Sequence, residues 1–227
     1  MIPIHILSGG IASASPYYPV GADCVLYHAY WDGTAVDHSL GGNDGNVVTP
    51  LFGTYGLTFN GTSDRVWMPA ADSLDVGVGD FTIMTFVKVA NDVTGRIVAS
   101  DYGAGLWFHY LYAANGVCVI RWFDENWLGY YTNSVVGAFD GSWKHIAAIT
   151  DRDVGSRIAV NGAWSGNWDG ATTTASIITN RVSFGDIPDN ANNPLKFEMG
   201  EMLFFNTAKD LTAIQDHYNT CKSRYGL

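Results

Sequence analysis

Three glutamates, Glu125, Glu198 and Glu201, stand out in a chain whose 22 acidic residues are otherwise aspartates. Cleavage of a glycosidic bond takes two carboxylates facing one scissile bond, one as acid and the other as nucleophile or base. Glu198 and Glu201 are three apart in the apolar run Leu195–Asn206, which reads as a strand. Side chains alternate along a strand, so this pair is expected on opposite faces. Glu125 sits in a Trp-rich loop and is not set against a carboxylate partner. The chain has no G-x-S-x-G, H-E-x-x-H or C-x-x-C motif and no Gly-rich phosphate loop. The sequence therefore predicts a protein without catalysis.

Binding chemistry is better represented. In Arg121–Tyr131, RWFDENWLGYY, the aromatics Trp122, Trp127, Tyr130 and Tyr131 surround Asp124, Glu125 and Asn126. Sugars stack their apolar C–H faces on such rings while carboxylates and amides take their hydroxyls. Trp107, in Asp101–Trp107, extends the same candidate surface, against core packing as the plainer use of these rings. Trp164 and Trp168, in AWSGNWDG, read as a second Gly-rich aromatic loop. Asp32, Asp37, Asp44 and Asp64 offer hard oxygen donors, but none forms a calcium-loop pattern, and aspartate in turns is the default. A metal is left open.

The net charge of −10, with 12 Lys and Arg and none before Arg65, excludes a phosphate-binding surface and hence nucleic acid. No apolar run reaches the ~20 residues that cross a bilayer, so membrane insertion is not expected. The start, MIPIHILSGGIASASPYYP, imitates a signal peptide but lacks a positive n-region and is broken by Pro3, His5 and Gly9-Gly10. Residues 1–22 are read as an arm, its first 20 residues docking on its own domain or on a neighbouring subunit. Three cysteines, Cys24, Cys118 and Cys221, exclude a complete disulfide framework. A Cys24–Cys221 bridge between neighbouring termini stays open beside three buried or inert thiols.

These residues must be positioned by strands. The 26 glycines, the sparse charge and the bias to Asp over Glu point to short strands and turns rather than a helical bundle. In Phe139–Trp164, Trp143, His145, Ala147 and Ile149 alternate with Lys144, Ile146, Ala148 and Thr150. Asp151–Gly155 supplies a turn, Ile158 and Val160 restart the alternation, and Asn161-Gly162 turns again. Asp80–Ala90 carries large apolar groups on both faces, as a strand between packed sheets or beneath a cover would. Asn60-Gly-Thr62 reads as a hairpin between Tyr55–Phe59 and Asp64–Met68, and Ser176–Phe184 as a late strand. Leu211, Ile214, Tyr218, Cys221 and Tyr225 form one apolar stripe, so the single helix lies at the end, capped by Thr207 or Asp210.

Several segments, in order, resemble the laminin-G-like branch of the concanavalin A-like lectin/glucanase superfamily. Val36-Asp-His-Ser39 is similar to its V-D-x-S turn, and Gly56–Gly61 with Asp64-Arg-Val66 to its G-x-x-F-D-G segment. Asp80-Phe-Thr-Ile83 resembles its D-F-T-I strand, with Phe86 where Trp is usual. Ser142–His145 and Ile158–Gly162 resemble W-H-H-V-A and Y-V-D-G, with Ala159 and Asn161 as departures. Met199–Asn206 and Ser223–Leu227 resemble the closing strand and helix. The resemblance implies an all-β jelly-roll sandwich of two antiparallel sheets with one C-terminal helix, over residues 23–227, with about 12 to 14 strands. Trp143 would be core and His145 a strand residue. The E-x-D-x-x-E motif of the superfamily's laminarinase-like enzymes is missing. Some relatives of this branch bind Ca²⁺ through loop oxygens, which keeps that ion open. The expected function is a carbohydrate-binding or adhesion module that takes a glycan or polysaccharide. The alternative is a structural assembly protein that oligomerises through the sandwich and residues 1–20; a glycoside hydrolase or polysaccharide lyase is the least expected reading. Either implies an extracellular, cell-surface or virion setting.

Overall fold

The computed structural model describes residues 17–103, 106–123, 129–133, 137–170, 174–177, 181–185 and 194–227. Among them are the strands β1 (Cys24–His28), β2 (Asn46–Val48), β3 (Leu51–Gly53), β4 (Gly56–Asn60), β5 (Arg65–Met68), β6 (Phe81–Val89), β7 (Thr94–Gly103) and β8 (Leu106–Ala114). They continue with β9 (Val117–Phe123), β10 (Gly129–Asn133), β11 (Trp143–Asp151), β12 (Gly155–Val160), β13 (Ala163–Asp169), β14 (Arg181–Phe184) and β15 (Lys196–Phe205). The helix α1 (Leu211–Cys221) follows. All pairings are antiparallel, in two sheets.

The eight-stranded sheet runs β13-β12-β11-β6-β15-β4-β3, and β1 also pairs with β15. β1 meets residues 202–205 of β15 and β4 meets residues 196–199, so the two lie end to end along one flank. The seven-stranded sheet runs β10-β9-β8-β7-β14-β5-β2. The expected sandwich is therefore present, with fifteen strands among the described residues rather than 12 to 14. The three-residue edge strands β2 and β3 account for the excess, because they leave little alternation to read.

β6 shows why the sheets pack. Phe81, Ile83, Val87 and Val89 enter the core between the sheets, with Val66, Ile97, Leu111, Ile120, Trp122 and Phe184. Met84 and Phe86 point the other way, into apolar clusters that α1 and the following turn cover. Both faces of the strand are dry, as its sequence requires. Asp210 caps α1, its carboxylate accepting from Ala213 N at 2.8 Å. The helix buries Ile214, His217 and Cys221, and Gly226 ends the following 3-10 turn in the left-handed region.

Two expectations are corrected. Asn60-Gly61 does turn, with Gly61 at φ +76°, but no hairpin forms. β4 pairs with β3 and β15, whereas β5 pairs with β2 and β14, so this turn carries the chain from one sheet to the other. Of the expected late strand, the described residues show β14 (Arg181–Phe184) and an isolated bridge at Ile177 where a continuous ladder was expected to begin at Ser176. Residues 17–22 rest on their own domain: the Tyr17 ring stacks on His38 at 4.1 Å, and Tyr18 N donates to Tyr27 Oη at 3.1 Å. The rest of the arm lies outside the described residues.

Candidate functional site

β10 is one edge of the seven-stranded sheet and β13 one edge of the eight-stranded sheet. β10 runs against β12 and β13, so the two aromatic stretches of the sequence come to the same side of the sandwich. In the β9–β10 pairing Tyr130 stands opposite Trp122 and Tyr131 opposite Arg121. Directly opposed residues share a sheet face. Of the two β9 positions, Trp122 is buried and Arg121 exposed. Trp107 lies in β8, paired with Asp101 of β7. Asp124, Glu125, Asn126 and Trp127 fall outside the described residues.

Trp122 needs correction. It is fully buried, its Nε1 donates to Ser156 Oγ at 3.2 Å, and the Arg152 guanidinium lies 5.0 Å from its ring centre. A ring sealed between two sheets offers no face to a sugar. Burial of this large apolar surface wins over display, as the sequence's own core alternative allowed.

The stretch read as a Gly-rich loop is the strand β13. Trp164 pairs opposite Ala159. Ala159 belongs to the outer cluster of the eight-stranded sheet, and Trp164 and Trp168 pack half-buried against it. Arg157 lies over both rings, its Cζ 4.4 Å from the centre of Trp164 and 5.9 Å from that of Trp168. Arg157 Nε donates to Gly166 O at 3.1 Å, which fixes the side chain. The site is therefore an aromatic edge with one held cation, in a chain of net charge −10. Sequence reading found the tryptophans but missed Arg157. The signal was present: Arg157 and Ala159 share a parity along β12, opposite to Ile158 in the core.

Glu198 and Glu201 also differ from expectation. A bulge at Gly200 in β15 shifts the register, so Glu198 pairs with Lys88 and Glu201 with Phe86. Lys88 and Phe86 are two apart on β6, so both glutamates share the outer face. Their surroundings separate them. Glu198 is half-buried beside a cleft of about 370 Å³ that Asp92, Lys196 and Phe197 also line, and it is bound to Lys88 Nζ at 2.8 Å. Glu201 is fully buried beneath α1. Its Oε2 lies 3.3 Å from Trp31 Nε1, 3.4 Å from Tyr27 Oη and 3.5 Å from Arg224 Nη1. Burial works to raise its carboxyl, but His217, Arg224 and Trp31 outweigh this and hold it below the ordinary range. His217 Nδ1 meets His145 Nε2 at 2.9 Å, and burial with the neighbouring His217 pushes His145 well down, leaving it neutral. His145 is a strand residue, as expected, and Trp143 is core.

The four candidate loop aspartates act as turn acceptors. Asp37 takes Tyr27 N, Ser39 N and Asn43 N, while Asp44 takes Asp37 N. Asp32 takes Thr34 and His38, and Asp64 takes Asn60 N and Thr49 Oγ1. The three cysteines are free and buried, so the Cys24–Cys221 bridge does not form. Burial raises all three thiols, Cys24 to about 12. Among the described residues no helix is long and apolar enough to cross a membrane.

Comparison with solved structures finds the same sandwich in toxin domains. The binding domain of botulinum neurotoxin serotype G superposes with a TM-score of 0.72 at 15% identity, over 88% of this chain and 51% of that one. The binding domain of Paraclostridial Mosquitocidal Protein 1 gives 0.69 at 15% identity, over 87% and 52%. The ligand binding domain of botulinum neurotoxin serotype D, in complex with N-acetylneuraminic acid, gives 0.68 at 12% identity, over 87% and 51%. The chain spans about half the length of each. Comparison with curated protein sequences finds no match. The laminin-G-like family profile described as "Concanavalin A-like lectin/glucanases superfamily" matches residues 60–215. That match covers more than half of the chain, and with the two-sheet fold it places the protein in the laminin-G-like branch of the concanavalin A-like lectin/glucanase superfamily.

Proposed function

We propose that this protein is a non-catalytic carbohydrate-binding or adhesion module, acting outside the cell. The observation that carries the reading is the aromatic edge, where Trp164 and Trp168 stay half-exposed around Arg157 on β13, beside the Trp-rich β9–β10 segment. Stacking rings and a fixed guanidinium suit the C–H faces and the hydroxyl or carboxylate groups of a glycan. Trp127, Tyr131, Asp124 and Asn126 are proposed to complete the surface. The N-acetylneuraminic acid bound by one structural neighbour makes acidic sugars the first to try. The carboxylates favour no hydrolase: Glu201 is sealed beneath α1 and Glu198 is tied to Lys88.

A screen of glycans and polysaccharides, with and without Ca²⁺, tests this reading. Retention by the wild type that falls several-fold in Trp164→Ala and Trp127→Ala supports it. A wild type that binds no glycan ends it.

A second reading, a structural assembly protein, draws on the opposite edge. The edge strand β3 exposes Leu51 (73%) and Phe52 (41%), with Tyr55 beside them (46%). Apolar edge strands invite pairing with another chain. Light scattering on the full chain and on a form lacking residues 1–20 separates the readings. A monomer in both would remove assembly, and loss of an oligomer on truncation would assign it to the arm.

A further inference from the structure

Glu201, His217 and Cys221 bring one carboxylate oxygen, one imidazole nitrogen and one sulfur within 4.8 Å of one another, all in buried side chains. His217 and Cys221 are four apart on α1 and so lie on one face of the helix. Glu201 meets that face because the bulge at Gly200 turns it outward, beneath the helix. Two of the atoms gathered here, Glu201 Oε1 and His217 Nε2, make no well-formed hydrogen bond and meet only each other, 3.3 Å apart in fully buried side chains. Buried polar atoms left this way are rare and call for a ligand or an ion. The nearby Tyr225 hydroxyl is buried as well, beside Arg224.

We propose that Glu201, His217 and Cys221 form a binding site for a divalent transition metal of the zinc class. The donor set decides the class. Calcium and magnesium take oxygen alone, whereas a mixed N, O and S set suits zinc or cobalt. Ligands held at about 2.0–2.3 Å around a tetrahedral ion stand roughly 3.3–3.8 Å apart. The 3.3 Å between Glu201 Oε1 and His217 Nε2 meets that spacing. The fourth position falls to water or to Tyr225 Oη.

The surroundings do what outer groups do at metal centres. His145 Nε2 holds His217 Nδ1 at 2.9 Å, which fixes the imidazole and leaves its Nε2 for the ion. Trp31 and Tyr27 hold Glu201 Oε2 and leave Oε1 facing His217 Nε2. Charges balance: the ion replaces the Cys221 thiol proton, which leaves to solvent, and the carboxylate and thiolate neutralise the dication. Arg224 stacks 3.7 Å from Trp31 and brings Nη1 to 3.5 Å from Glu201 Oε2, on the side of the carboxylate away from Oε1. The site is separate from the aromatic edge and would tie α1 to β15.

The test uses the full chain, stripped with a chelator and titrated with Co²⁺. The expected result is a thiolate-to-cobalt charge-transfer band in the near ultraviolet, saturating at one ion per chain and removed by Zn²⁺. Zn²⁺ should also raise the melting temperature of the stripped wild type. Cys221→Ser should lose the band and Cys118→Ser should keep it, with circular dichroism confirming that both fold. A wild type with neither band nor Zn²⁺-dependent stabilisation overturns the proposal without reference to any variant. So does a band that survives Cys221→Ser.

Discussion

Beneath α1, Phe86, Trp143 and Tyr225 close over Glu201, His145 and His217, whose side chains are fully buried. Along β13, Trp164, Trp168 and Arg157 make similar aromatic and cationic contacts but stay half in solvent. Both regions lie on the outer face of the same sheet. The difference is the helix. Where α1 covers the sheet, polar side chains become a buried network that a glycan cannot reach. Where the cover ends, the same residue types remain available for binding. Composition alone would rank the two regions equally, and coverage separates them.

The sharpest way to break this contrast is Phe86→Ala. Phe86 is fully buried, stacks on Tyr225 at 4.3 Å and lies 4.9 Å from His145. Truncating such a ring costs about 3–5 kcal/mol. Urea unfolding should show that loss. A loss below about 1 kcal/mol would mean that the covered face is not the stable half of the comparison.

Gly200→Ala comes next. A Cβ at Gly200 would lie 2.2 Å from Tyr225 Cε1 and 2.4 Å from its hydroxyl, at the bulge that turns Glu201 beneath the helix. Overpacking of this kind costs roughly 1–3 kcal/mol. Denaturant midpoints should fall accordingly. An unchanged midpoint would show that Tyr225 is free to move.

The buried histidine His28 gives the contrast a pH dependence on the interior side. It is held between Tyr30 Oη and Asn43 O, both at 2.9 Å, with Asp37, Asp44 and His38 as the neighbouring titratable groups. Burial depresses it, so the folded chain keeps it neutral. The unfolded chain takes up a proton near pH 6.5 and the folded chain does not. Stability from this group is thus complete above about 6.5 and is lost as pH falls below it, by up to about 1.4 kcal/mol per pH unit. His28→Gln should remove that share of the slope in unfolding titrations between neutral and mildly acid pH. Identical slopes for both proteins would refute the assignment.

Much of this was legible in the sequence, for a physical reason. The alternation in Phe81–Val89 and Trp143–Thr150 is long and strong, so faces could be assigned before the sheets were seen. The terminal stripe Ile214, Cys221 and Tyr225 marked the helix that covers them. Gly200 was not legible, because a bulge reverses side-chain parity without changing composition, and that reversal put Glu201 on the same face as Glu198, at the centre of the network. His217 was passed over because it is polar within an apolar stripe, although its i, i+4 spacing to Cys221 was a usable sign. Trp122 and Trp164 look alike in sequence, each in a Trp-rich segment. Only the order of strands shows that one is sealed between sheets and the other lies on an edge.

The smallest stability effect, and the most informative for function, belongs to Trp164→Ala. Its ring is half-buried, so truncation removes part of an apolar contact and the cation–π contact to Arg157, worth about 0.5–1 kcal/mol near the surface. The melting temperature should therefore fall far less than in Phe86→Ala, while retention on a responsive glycan surface drops several-fold. Arg157→Lys sharpens the reading. Lysine keeps the charge but loses the planar fork that both stacks on the rings and pairs with a carboxylate. If acidic sugars are the ligands, Arg157→Lys should lose them while keeping most neutral-sugar retention on the two rings. If Trp164→Ala instead unfolds as readily as Phe86→Ala, the edge is core in all but exposure, and the line between a covered scaffold and an open surface must be redrawn past β13.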